Sequence, residues 1–205
     1  AQEYLADFVD YLGRAYVYHD AQVHRVVKPF NPKLPISVAL DFNISPCLWE
    51  MGQVDKDNVH FFDEIKQSET DIWRMCVELK RRLEGRGVKA GGRIEFYGDY
   101  TSASRRDVSA TASSWDIVRG EFSGYETDFR LRKNPNIVDR INAVNSRLRS
   151  ADGRVRLTYD PKCVELGKDF ELVDMEMLTT KKGQAGERTH ASDAAGYLVH
   201  FIWPI

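Results

Sequence analysis

Three apolar runs of strand length, Ile36–Phe42, Leu48–Val54 and Val59–Ile65, follow one another with connections too short to hold a crossover helix. Strands joined that closely pair antiparallel, so this stretch is committed to a meander. Turn residues Gly52, Asp55, Asp57 and Asn58 lie around these runs.

Beyond the meander the period changes. Ser68-Glu-Thr-Asp71 resembles a capping box, and Ile72, Met75, Cys76, Leu79 and Leu83 follow at helical spacing until Gly85 and Gly87. Arg93–Tyr97 reads as a fourth strand running into Gly98-Asp99, and a helix is expected around Ser114–Phe122. Asn134-Pro135 reads as the cap and first turn of another helix, with Ile137, Ile141, Val144 and Leu148 on one face. Val155–Tyr159 reads as a fifth strand, Cys163–Val173 as helical, and a last helix is expected to start near Ser192. Three strands, helix, strand, helices, strand and closing helix is the order of a ribonuclease-H-like α/β fold, a mixed five-stranded central sheet flanked by helices. At 205 residues the chain fits one such domain over 36–205. Residues 1–35, with helical spacing at Tyr4, Leu5, Phe8, Val9 and Leu12 and prolines between Pro29 and Pro35, read as a linker, the remnant of an interdomain connection.

Composition excludes several classes. Hydrophobic residues make up 42% and charged residues 29%, the balance of an ordinary globular chain, and no apolar stretch reaches the length of a membrane span. Cys47, Cys76 and Cys163 have neither zinc-finger spacing nor the even count of a disulfide framework, which points to a reducing, intracellular setting. No GxxxxGK[ST] signature occurs, so no ATPase activity is expected of this chain alone. The formal net charge is −2, yet residues 130–156 hold eight basic residues against Asp139 and Asp152. A local basic face beside a carboxylate-lined site suits a polyanionic substrate, and a solvated surface helix is the alternative.

The carboxylates carry the chemistry. Asp41 closes the first strand, Asp99 follows the fourth beside Gly98, and Asp193 stands at the start of the closing helix. In this strand order they converge. Clustered carboxylates repel, and hard divalent cations such as Mg²⁺ or Mn²⁺ offset that repulsion. Two such ions about 3.5–4 Å apart activate a water and stabilise the leaving oxygen of a phosphodiester. Singly, each aspartate also reads as a strand end, a turn residue or a helix-dipole partner. His190, three residues before Asp193, is a candidate outer ligand, and Asp63 and Glu64 are candidates for an acidic rim. Arg130, Arg132, Lys133, Arg140 and Arg147, with Lys181, Lys182 and Arg188 of the polar 179–188 loop, are candidate contacts to DNA phosphates.

Several segments together resemble the nuclease domain of tailed-phage large terminase subunits. They are Ala39-Leu-Asp-Phe-Asn-Ile-Ser-Pro46, Tyr97-Gly-Asp-Tyr-Thr-Ser102, Asn134-Pro-Asn-Ile-Val-Asp-Arg-Ile-Asn-Ala-Val-Asn145, Gly153-Arg-Val-Arg-Leu-Thr-Tyr-Asp-Pro-Lys-Cys163 and Thr189-His-Ala-Ser-Asp-Ala-Ala-Gly-Tyr197. The resemblance runs from about Pro35 to the C-terminus, departing at Ser102, where many members carry glycine. It implies a metal-dependent endonuclease that cuts concatemeric viral double-stranded DNA at the start and end of packaging, with Asp41, Asp99 and Asp193 holding Mg²⁺ or Mn²⁺ and His190 beside them. It further implies an ATPase domain, a portal and a small terminase subunit as partners, and action in the host cytoplasm, with the isolated domain a monomer. A resolvase or transposase core of the same fold, and a non-catalytic DNA-docking module, are the competing expectations.

Overall fold

A computed structural model of the chain describes residues 13–43, 45–103, 112–176 and 188–205. The expected helix at 4–12 and most of the 179–188 loop, with Lys181 and Lys182, lie outside the described residues.

The meander is present. Strand β1 (Ile36–Asp41) pairs antiparallel with β2 (Cys47–Asp55), and β2 with β3 (Asn58–Gln67), with a register shift at Met51/Gly52. Strand β4 (Arg93–Gly98) lies parallel to β1 on its other side. A short helix α1 (Ala21–His24) precedes the sheet, and α2 (Ile72–Gly85) connects β3 to β4. The remaining elements are α3 (Ser114–Glu121), β5 (Glu126–Arg130), α4 (Ile137–Leu148), β6 (Leu157–Tyr159), α5 (Val164–Leu172) and α6 (His190–Ile202). Among the described residues the sheet has six strands in the order β5-β4-β1-β2-β3-β6.

The strand beside β4 is therefore β5, which the sequence reading missed, and the expected fifth strand is β6 at the opposite edge, parallel to β3. The sequence ETDFR has four half-buried positions and none fully buried, so it offers no apolar run to read. Edge position explains both its polarity and its pairing on one side only.

Two apolar layers clothe the sheet. Val38 and Leu40 of β1, with Trp49, Phe96 and Ile94, pack against Met75, Cys76, Leu79 and Leu83 of α2 and Trp115 and Val118 of α3. Ala39, Leu48, Phe61 and Tyr97 pack on the other side against α4, α5 and α6 through Val144, Phe170, Ala194 and Leu198. Strand alternation thus sends Ala39 and Asp41 to the α6 face and Leu40 to the α2 face. β1, in contact with covered neighbours on both sides, is buried along its whole length.

Two caps differ from expectation by a few residues. α2 is capped by Asp71, whose Oδ1 accepts from the Arg74 N–H at 2.8 Å, rather than by a box begun at Ser68. α4 is capped by Asn136, which accepts from the Asp139 N–H at 2.8 Å, rather than by Asn134. The closing helix starts at His190, two residues earlier than expected.

A candidate acidic site between β1, β4 and α6

Asp41 ends the central strand on the α6 side and is 8% exposed. Its Oδ2 lies 2.7 Å from His190 Nδ1, the first residue of α6. Asn43 Nδ2 donates to the same oxygen at 2.8 Å and lies 2.7 Å from the histidine nitrogen. Asp193, one turn beyond His190, shares its helix face. Its Oδ1 takes a bond from Arg140 Nη2 at 2.5 Å, across from α4.

Asp99 follows β4. Gly98 before it serves for space rather than for bending: a Cβ there would stand 2.6 Å from the Leu40 carbonyl and 3.1 Å from the Trp115 ring. The Asp99 carboxylate accepts from the Thr101 N–H at 2.8 Å and from the Thr101 hydroxyl at 2.7 Å, and from the Asn134 side-chain amide. This is where Asn134 goes instead of capping α4. Trp115 Nε1 donates to the Asp99 carbonyl at 3.0 Å, fixing the backbone.

Tyr197 feels the charge of all three acids. Burial first, and then the negative fields of Asp193, Asp99 and Asp41, push its hydroxyl up to about 12, against the opposing pull of Arg140. Asp193 is raised above the usual carboxylate range by burial, and the field of Asp41 adds to this, while Arg140 offsets part of it. The acids therefore share one electrostatic neighbourhood, each with its own polar counterpart: His190 and Asn43, Arg140, and Thr101 with Asn134. They are not yet within a common ligand shell: among the described residues, the one trio of such side chains with ligand atoms all within 4.8 Å is Glu50, Glu64 and Cys163.

The other expected site residues divide. Asp63 points to the α2 face and is paired with Arg82 at 2.5 Å and Arg86 at 3.4 Å. Glu64, on the opposite face of β3, accepts from the Glu165 and Leu166 N–H groups at 2.8 and 3.1 Å, supplying the cap that Cys163 does not give α5. Both stand on β3, with β2 between them and Asp41. The 130–156 stretch is not one basic face. Arg140 is 7% exposed and committed to Asp193 and the Tyr197 ring, so it is a member of the site and not an outward phosphate contact. Arg130 is paired with Asp128 at 2.7 Å, Arg156 with Asp57 and Asp152 at 3.2 Å, and Arg147 lies over Trp203. Arg132 and Lys133 are exposed and line a small cleft with Gly98, Tyr197 and His200, immediately beside Asp99. Arg188 is exposed at the foot of α6.

Asp169 of α5 also went unread. It is 3% exposed, and its Oδ2 accepts from the Ser192 N–H at 2.9 Å, serving the first turn of α6 where Thr189 gives no side-chain cap. Burial raises its carboxyl to about 7, and the Ser192 bonds offset part of that rise. A carboxyl whose folded pKa lies above its unfolded value stabilises fully below the unfolded value, about 3.8, and loses that contribution as pH rises through the folded one. Between pH 4 and 6 this group is expected to remove about 2 kcal/mol of stability, and Asp169→Asn to flatten the decline. Thermal melts of both proteins across that window decide it; parallel curves would dismiss the assignment.

No protein-family model and no curated protein sequence matches the chain. Solved structures do match its fold. A large terminase from a thermophilic bacteriophage aligns with a TM-score of 0.62 at 16% identity, over 93% of this chain and 45% of that one, so the chain spans less than half that protein. The P22 large terminase nuclease domain aligns with a TM-score of 0.60 at 14% identity, over 93% of each chain. The large terminase nuclease from thermophilic phage G20c, with bound cobalt, aligns with a TM-score of 0.57 at 10% identity, over 94% of this chain and 98% of that one. That nuclease with bound magnesium gives a TM-score of 0.51 at 11% identity, over 91% and 97% of the two chains. With its meander, parallel β4 and closing helix, the chain has the fold of large-terminase nuclease domains, a ribonuclease-H-like α/β fold.

Proposed function

We propose that this chain is a divalent-metal-dependent DNA endonuclease, the nuclease part of a packaging motor that cuts concatemeric viral double-stranded DNA when packaging begins and ends. The observation that supports the reading is the placement of Asp41 and Asp99 at the ends of neighbouring parallel strands and of Asp193 in the first turn of α6, whose His190 lies against Asp41. The likeness in fold to nucleases solved with cobalt or magnesium supports it.

The donor set suits a hard cation: three carboxylates, with a histidine in contact with one of them. Mg²⁺ or Mn²⁺, as two ions, would be held by Asp41, Asp99 and Asp193, with His190 as outer ligand. Bound there, the metal supplies Lewis acidity for water and for the departing oxygen of the phosphodiester. The chain's own residues do the rest. Arg140 occupies Oδ1 of Asp193 and so limits how that carboxylate can turn. Asn43 and His190 orient Asp41, and Thr101 with Asn134 orients Asp99. Arg132 and Lys133 hold backbone phosphates beside Asp99 without reading sequence.

In the working motor an ATPase domain, a portal and a small recognition subunit would be its partners, in the host cytoplasm. Incubating supercoiled plasmid with the purified chain and Mg²⁺, Mn²⁺ or EDTA tests the reading. Nicked and linear products that require metal are expected. Salt-sensitive DNA binding with no strand loss under any metal would replace the reading with that of a docking module.

The joint change Arg132→Ala and Lys133→Ala is expected to weaken binding equally across unrelated duplexes. It should lower the slope of log affinity against log salt by about 2, close to 0.9 for each phosphate contact removed. Fluorescence anisotropy over a salt series measures both, and an unchanged slope would move the DNA path elsewhere.

A further inference from the structure

A second set of ligating atoms lies deeper under the same face of the sheet. Glu50 of β2 and Glu64 of β3 are register partners, and Cys163 stands at the entrance to α5. One ligand atom from each lies within 4.8 Å of the other two. Glu50 is fully buried, and among the described residues its carboxylate oxygens have no N–H or hydroxyl donor, their one polar neighbour being the Glu64 carboxyl. Glu64 takes two N–H bonds from α5, and the Cys163 thiol, 1% exposed, lies 3.6 Å from the Phe61 carbonyl.

Burial first, then the charge of Glu64 and a side-chain hydrogen bond with it, and then the charges of Asp169 and Asp63, hold the Glu50 carboxyl well above the usual range. A buried carboxylate with no counter-charge is among the costliest groups a fold can hold. One proton shared with Glu64 satisfies a single oxygen of Glu50 and leaves the other buried without a donor. A divalent ion supplies the missing counter-charge to both carboxylates at once. Two carboxylates and a thiolate are hard and soft donors together, a mixture that zinc accepts at about 2.0–2.3 Å, which sets ligand atoms roughly 3.5 Å apart. The atoms here lie within 4.8 Å of one another, so the ion would draw them closer together.

We propose that Glu50, Glu64 and Cys163 form a binding site for a zinc-type divalent ion, separate from the aspartate site. It ties the β2–β3 pair to the start of α5. Asp169 near the end of α5 in turn holds the first turn of α6, so the ion braces the layer that carries His190 and Asp193.

Zinc binding to the full chain tests this, with Asp41→Asn and Asp99→Asn introduced to silence the other acids. One equivalent of zinc retained through dialysis under reducing conditions is expected, with a melting temperature raised by about 5 °C. Cobalt should give a sulfur-to-cobalt charge-transfer band that Cys163→Ser abolishes, and Glu50→Gln should lose the bound zinc. The proposal is overturned by a protein that retains no zinc and shows no cobalt band. It is equally overturned if Glu50→Gln matches its parent in stability and in response to zinc, since an amide can donate to Glu64 in place of a shared proton. Should Glu50→Gln fail to fold, the presence or absence of the band in the parent, compared with Cys163→Ser, decides the matter.

Discussion

Asp41→Asn and Asp99→Asn are each expected to lower metal-dependent plasmid cleavage by about a thousandfold, a loss of roughly 4 kcal/mol from the barrier. Stability should stay within about 1 kcal/mol of the parent. The asymmetry follows from what each carboxylate touches. Asp41 accepts from Asn43 and faces His190, and Asp99 accepts from Thr101 and Asn134. An asparagine side chain offers one acceptor oxygen in the same volume and keeps most of those bonds. What it cannot offer is negative charge toward a cation, which is the property the proposed reaction needs. Gel assays in Mn²⁺ beside calorimetric melts separate the two effects. Cutting by Asp41→Asn at the parental rate would remove this site from the chemistry. Loss of cutting together with loss of fold would leave the change to be read through stability alone.

The central part of this arrangement is legible in sequence for a physical reason. The run ISVALD is buried at every position and apolar but for Ser37, so the one acid at its end stands out. Asp193 is legible for a similar reason, set among alanines in a helix packed against the sheet. The counterparts are not legible. Arg140 lies in a stretch rich in arginine, and nothing in its local sequence distinguishes a side chain turned inward from seven others. Its inward path depends on Gly196 of α6: a Cβ there would stand 2.5 Å from Arg140 Cγ. That contact joins residues 56 positions apart, beyond the reach of any periodicity. Asn134 before proline resembles a cap in sequence, and only the placement of Asp99 beside it shows the amide diverted to the site. Glu64 was visible as an acid at a strand end, but its task, receiving the N–H groups of α5, is fixed by the β2–β3 register and the return of the chain through β6. β5 was lost because an edge strand can be polar on both faces. Patterning therefore revealed the sheet centre and its acids, whereas the partners that hold those acids come from tertiary packing.

Arg140→Met is expected to destabilise the fold by about 3–5 kcal/mol near neutral pH, because the change leaves a charged carboxylate without its buried partner. For a chain of this size that is a drop of roughly 10 °C in melting temperature. Methionine keeps the unbranched stem that lies against Gly196 and loses the guanidinium with its contacts to Asp193 and the Tyr197 ring, so the loss reports charge more than volume. Its pH dependence has a definite sign. Burial already raises Asp193, and Arg140 is the largest opposing influence, so removing it raises the folded pKa further. A group raised in this way contributes stability below its unfolded pKa and loses it as pH climbs through the folded one. The deficit of Arg140→Met against the parent should therefore widen as pH rises from about 4 toward 8 and nearly vanish at the acid end. Adding Asp193→Asn to Arg140→Met should return most of the lost stability, although Asp193→Asn alone is destabilising because it orphans the arginine. The four proteins form a double-mutant cycle whose coupling term measures the pair directly. A deficit of equal size at pH 4 and pH 8, with no recovery in the double variant, would mean that Arg140 serves packing alone. In that case the Asp193 carboxylate would be held toward Asp41 by the start of α6, with no help from α4.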